Sequence, residues 1–216
     1  MSEATAVSLD ALRARIRTLE GRRVERRREL TGIDALDRLT GGLPQPGLVE
    51  LHGPAGGGAT SLAAGILARH TLFGRPVAWV DLERHVYPPA LEQLGVDLRY
   101  LLMVRPPGGH EVWAVEQLLR SGCFAAVAVA GSGRLGRGGS RWSHAAERGH
   151  STAIVVGRTA ERSLPADLRL SVGPQGITVV RDRSGAFGRQ QPLPMRTAIA
   201  DPWQRERVRA ACGSPP

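Results

Sequence analysis

Leu48-Val49-Glu50-Leu51-His52-Gly53-Pro54-Ala55-Gly56-Gly57-Gly58-Ala59-Thr60-Ser61-Leu62 leads from a short apolar run through a glycine-rich loop into a helical pattern of Leu62, Ala63, Ile66, Leu67 and His70. Strand, loop and helix in that order are the setting of a phosphate-cradling loop, whose pattern asks for Gly, four residues, Gly, Lys and then Ser or Thr. Gly53, Gly58 and Thr60 fit, but the lysine position holds Ala59. No other part of the chain can supply the missing cation as lysine, because all 29 basic residues are arginine. In such a loop the lysine meets the outer phosphates, while backbone N–H groups and the helix end hold the inner ones. A helix end contributes about 0.3–1 kcal/mol and at best about 2. That is little beside the desolvation of a polyphosphate. The expectation is a chain that uses no cofactor and binds neither ATP nor Mg²⁺, its glycine turn kept for tight strand–helix packing.

Composition sets the outer limits. At 216 residues the chain is one domain with ends, and 42% hydrophobic residues can fill a core. A net charge of +9 and a pI of 11.2 favour acidic partners, nucleic acid among them. A solvated surface in an arginine-, glycine- and alanine-rich chain gives the same figure. Cys123, read as part of an apolar strand, stands far from Cys212 in the tail, and the six histidines lack paired metal spacing. Neither a disulfide framework nor a metal site is expected. Ser61 has no histidine motif to activate it. The polar N-terminus and the absence of an apolar run near ~18 residues lead to the expectation of a cytoplasmic chain without membrane contact.

Upstream of the loop, Ser8 precedes a helical stripe of Leu9, Leu12, Ile16 and Leu19, followed by the basic run Arg22 to Glu29. A helix this polar needs a surface for its narrow apolar face, either its own core or another protein. Thr31–Leu39 reads as a short capped helix ended by Gly41-Gly42, and Leu43–Gly47 turns into the first strand. Downstream, strands are expected at Val77–Asp81, Leu101–Val104, Phe124–Ala130, Thr152–Val156, Asp167–Val172 and Ile177–Arg181. Helices are expected near Pro89–Leu94, at His110–Leu119 and, after a flexible link from Gly131 to Ser140, around Trp142–Glu147. A β-rich end near Pro194–Ala200 and a charged helical tail at Trp203–Ala211 complete the chain. Strands alternating with helices imply crossovers and a mostly parallel central sheet flanked by helices, with an antiparallel C-terminal edge. The expected division is an N-terminal extension over 1–30, a core over 31–200 and a tail over 201–216.

Several segments then resemble one family in order. Thr31-Gly32 with Leu36, Gly41-Gly42-Leu43-Pro44, Val49-Glu50 and Gly53-Pro54 look like the entry to the RecA recombinase core. Val80-Asp81-Leu82-Glu83, Leu94-Gly95-Val96-Asp97, Leu101-Leu102 and Arg120-Ser121-Gly122 continue it, so that the likeness covers roughly residues 31 to 190. It implies a RecA-like P-loop α/β fold. In RecA the strand matching Phe124–Ala130 ends in a metal-supporting aspartate, where this chain has Ala130. Glu83 falls at the water-activating glutamate, a relic without lysine or metal carboxylate. Its alternative reading is an acceptor for Arg84 or for a backbone group. Gly157-Arg158 replaces the nucleotide-sensing glutamine, and Arg181-Asp182-Arg183 stands where RecA sets two lysines across a neighbour's ATP.

A short RecA-like chain without the ATPase residues is similar to the ImuA family. That resemblance implies a non-catalytic adaptor in damage-induced (SOS) mutagenesis and translesion synthesis. Its expected partners are RecA, ImuB, an error-prone replicative-type polymerase subunit and a second copy of itself. Partner contacts are expected at Leu9, Leu12, Ile16 and Leu19, and at Trp203, Arg205 and Arg207. Weak single-stranded DNA binding is expected at Arg134, Arg137 and Arg141, with Arg181 and Arg183 as further contacts, and no aromatic interleaves until Trp142. Three alternatives stay open: a divergent ATPase using arginine for lysine, a division inhibitor of the SulA type, and a stand-alone DNA-binding protein.

Overall fold

A computed structural model describes residues 27–131, 138–183 and 187–192. In chain order these form β1 (Arg28–Glu29), α1 (Asp34–Thr40), β2 (Leu43–Pro44), β3 (Gly47–His52), α2 (Ala59–Leu72), β4 (Val77–Asp81) and α3 (Pro88–Gln93). After a 3-10 turn at Leu98–Tyr100 come β5 (Leu101–Val104), α4 (Glu111–Arg120), β6 (Ala126–Ala130), α5 (Gly139–Gly149), β7 (Thr152–Gly157), β8 (Leu168–Gly173), β9 (Gly176–Asp182) and β10 (Gln190–Gln191).

Eight strands make one sheet in the order β10-β9-β8-β3-β7-β6-β4-β5. The pairings from β8 through β3, β7, β6 and β4 to β5 are parallel, and β8–β9–β10 is antiparallel. The expected sheet, with its antiparallel edge, is therefore the observed one. Because side chains alternate across a strand, each central strand feeds two cores. Val49, Leu51, Trp79 and Ile154 meet Leu36, Leu62, Ile66 and Leu67 on the α1–α2 side. Leu48, Val80, Val127 and Val155 meet Val115, Leu119, Trp142 and Ala146 on the α4–α5 side. The first described residues are tied to this unit: Arg27 O accepts the Gln45 N–H, β1 pairs with β2, and Arg28 donates to Thr40 O (2.7 Å), Gly42 O (3.0 Å) and Asp182 (2.6 Å).

Three expectations are corrected. The strand expected from Phe124 begins at Ala126, which leaves Cys123 exposed instead of within an apolar strand. The last described helix spans Gly139–Gly149, longer than its apolar centre, because its terminal glycines are packing contacts. A Cβ on Gly149 would stand 1.9 Å from Leu119 O, so only hydrogen fits between α5 and α4. Finally, α1 has no side-chain N-cap; Asp37, inside the helix, reaches back to the Thr31 N–H (2.8 Å) and Gly32 N–H (3.0 Å).

Candidate functional site

At the carboxyl ends of β3, β4, β6 and β7, where open α/β sheets hold their ligands, lies a cleft of about 520 Å³. The glycine turn forms one wall, and Val86, Tyr87, Ala90, Leu91 and Leu94 form the other. The turn keeps a phosphate-loop shape. Gly53 passes so close beneath β8 that a Cβ would lie 1.9 Å from Val172 O. Gly58 holds the left-handed conformation (φ 97°) that starts α2 without a side-chain cap, and the first turn of α2 lines the cleft. Ala59 presents only a nearly buried methyl group to the lining it shares with Thr60 and Ser61.

The floor carries a carboxylate that the strand pattern did not single out. Asp81 ends β4 in register with Ala130 of β6. Its Oδ1 accepts the His85 N–H (3.1 Å), and its Oδ2 accepts the Val86 N–H (3.1 Å) and Arg105 Nε (3.3 Å). Arg105 also donates to Val86 O at 3.0 Å, closing a loop over residues 82–86. Within it Arg84 sits at φ 58°, a conformation costing of order 1–3 kcal/mol for a side-chain-bearing residue. The signal available in sequence was an acidic residue closing an apolar strand.

Glu83 lines the cleft, and its carboxylate faces His85 Nδ1 at 3.3 Å. Arg158 is the one arginine among the described lining residues. It follows Gly157 at the end of β7, and Gly157 O accepts the Gly53 N–H (3.2 Å). Behind it, Glu50 and Arg169 pair side by side within the sheet, both buried. Arg169 also donates to Glu161 O (2.7 Å) and Leu164 O (3.2 Å), and Glu50 accepts the Glu161 N–H. This pair holds the segment after Arg158 against the sheet. Two hydrogen bonds from Ser163 hold the Glu161 carboxyl below the usual carboxylate range. Burial lowers the His52 imidazole below its ordinary value, against the pull of Glu50.

Of the five arginines expected to meet DNA, the three described ones do not converge. Arg141 pairs with Glu116 of α4, and Arg183 pairs with Asp167 (2.9 Å). Arg181 and Arg183 lie at the opposite end of the sheet from the cleft, because β9 runs antiparallel and Asp182 meets Leu168, the first residue of β8. Trp142 is fully buried and donates Nε1–H to Val112 O (3.1 Å), so it offers no stacking face. Arg134, Arg137, Leu9, Leu12, Ile16, Leu19, Trp203, Arg205 and Arg207 lie outside the described residues. Among the described residues, no helix is long and apolar enough to cross a membrane, and no cluster of three or more His, Cys, Asp or Glu could hold a metal.

Known proteins share parts of this frame. Protein RecA of Thermus thermophilus is 37% identical over 102 residues, covering 46% of this chain and 30% of that protein. Protein RecA of Haemophilus ducreyi is 33% identical over 99 residues, covering 45% and 26%. The matched stretch thus spans less than a third of either relative's length. Among solved structures, the RadB recombinase superposes with a TM-score of 0.62 at 22% identity over 79% of this chain and 98% of that one, a likeness of fold. The RecA N-terminal domain matches residues 22–135, more than half of the chain, and the chain belongs to that family.

Proposed function

We propose that this chain is a non-catalytic RecA-core adaptor acting in damage-induced translesion synthesis, as the resemblance to the ImuA family implies, with RecA and an ImuB-type polymerase assembly as its partners. One observation carries the reading: the glycine turn is built, yet its cation position is the buried methyl of Ala59 and the strand end beside Asp81 is Ala130. Phosphoryl transfer rests on positioning and neutralising phosphate charge. Asp81, the carboxylate nearest the missing one, is engaged in folding residues 82–86. What such a frame offers is surface.

The purified full chain should hydrolyse ATP no faster than background, with or without single-stranded DNA, and should retain RecA in a pull-down. Leu12→Asp with Ile16→Asp should abolish that retention while circular dichroism stays unchanged. Steady Mg²⁺-dependent turnover would overturn the assignment. A second reading, a divergent ATPase, has the support of Glu83 and Arg158 on one cleft. Arginine can grip phosphates bidentately. That reading requires turnover that disappears in Glu83→Gln.

A further inference from the structure

On the α2 side of the base of the sheet, away from the cleft, three large apolar side chains stand uncovered: Leu30 (57% exposed), Phe73 (43%) and Tyr100 (37%). They form one ridge. The Arg69 stem lies 3.3 Å from the Cβ position of Gly32, two residues after Leu30, and its guanidinium sits 4.5 Å over the Phe73 ring. Gly74 packs against Tyr100, whose Oη lies 3.5 Å from its Cβ position, and Arg99 covers the tyrosine ring at 5.9 Å.

The chain enters the fold beside this ridge. Arg27 O accepts the Gln45 N–H (2.8 Å), and Glu29 is paired with Arg75, two residues beyond Phe73. Upstream lie 26 residues whose apolar stripe is Leu9, Leu12, Ile16 and Leu19. At helical periodicity these four share an arc of roughly 80°. Glu20 follows Ile16 on the same side, so a helix seated on the ridge brings a carboxylate toward the two arginines that cap the rings. The connector from Glu20 to Arg26 reaches at most about 23–25 Å. That is enough to return a helix of about 18 Å to the ridge. A tether this short raises the effective concentration to the millimolar range, favouring the chain's own core over a second copy.

We propose that residues 8–19 dock in cis on the Leu30–Phe73–Tyr100 ridge, so that the stripe that would contact a partner is covered while the chain is alone. Such a contact requires no partner protein, so a failed RecA pull-down leaves it standing.

Hydrogen–deuterium exchange on the full chain tests it, read at the turn amides of Phe73, Gly74, Arg75 and Tyr100, which donate to His70 O, Thr71 O, His70 O and Asp97 O. Leu12→Asp with Ile16→Asp should speed their exchange about tenfold, equally at two protein concentrations tenfold apart. From the other side, Phe73→Ser with Tyr100→Ser should speed tryptic cleavage after Arg13, Arg15 and Arg17 about tenfold, with the circular dichroism of the core retained. Unchanged exchange and cleavage in both variants would overturn the docking. So would protection in the parent chain that fades on dilution, which would place the helix on a second copy.

Discussion

The two ends of the parallel sheet are built on opposite plans. At the base, where strands begin, polar side chains stitch distant segments together. Gln45 reaches His150 O (3.0 Å) and Ala125 O (3.4 Å), Asp167 accepts the Leu48 N–H (2.9 Å), Arg28 holds Asp182, and Glu29 pairs with Arg75. At the cleft end a glycine turn and apolar residues of and around α3 surround one arginine and two acidic residues among the described lining. Charge joins distant segments at one end; at the other it is sparse where a nucleotide would need it, and Asp81 is committed to the local fold of residues 82–86.

The largest test of that contrast concerns Arg169, whose partner Glu50 lies in the strand that joins the two ends. Arg169→Met leaves Glu50 buried without its ion-pair partner and should destabilise the chain by about 3–5 kcal/mol. Adding Glu50→Leu should recover most of it; urea unfolding reads both. A pair worth no more than an exposed ion pair would show a loss below about 1 kcal/mol.

Next comes His70, buried on α2 beside Glu29. Burial, with help from Arg75 and Arg69 and against the pull of Glu29, lowers its imidazole to about 4. The unfolded chain takes up that proton more readily, near its ordinary value of about 6.5. The stability tied to neutral His70 is therefore complete above about pH 6.5 and is lost as pH falls toward 4, by roughly 3 kcal/mol. His70→Gln should flatten that part of the stability–pH curve, and identical slopes in the two proteins would refute it.

The smallest effect is at the cleft. Ala59→Lys restores the cation to a turn whose shape is already in place, and should tighten a fluorescent ATP analogue about tenfold, or about 1.4 kcal/mol. Turnover should stay at background until Ala130→Asp is added. No gain in affinity would mean that the cleft is closed to nucleotides for a reason other than charge.

Much of this was legible in the chain. Val77–Asp81 and Leu101–Val104 occupy the expected positions because apolar runs between glycine and proline breaks carry their own boundaries. The glycine turn was readable for the same reason, being local. What stayed hidden joins residues far apart: Gln45 and His150 are separated by 105 positions, and Leu48 and Asp167 by 119. No periodicity reports such pairs. Gly139 and Gly149 misled in another way, since glycine signals both a linker and a close contact, and only packing separates the two.

The seam between α4 and α5 has a mechanical consequence. Trp142 is bonded to Val112, Arg141 is paired with Glu116, and Gly149 rests on the Leu119 carbonyl, so the helices are riveted along their whole shared length. Displacing either helix along the other would therefore require breaking the Trp142–Val112 hydrogen bond and the Arg141–Glu116 pair and driving a backbone carbonyl off a glycine that has no room to yield.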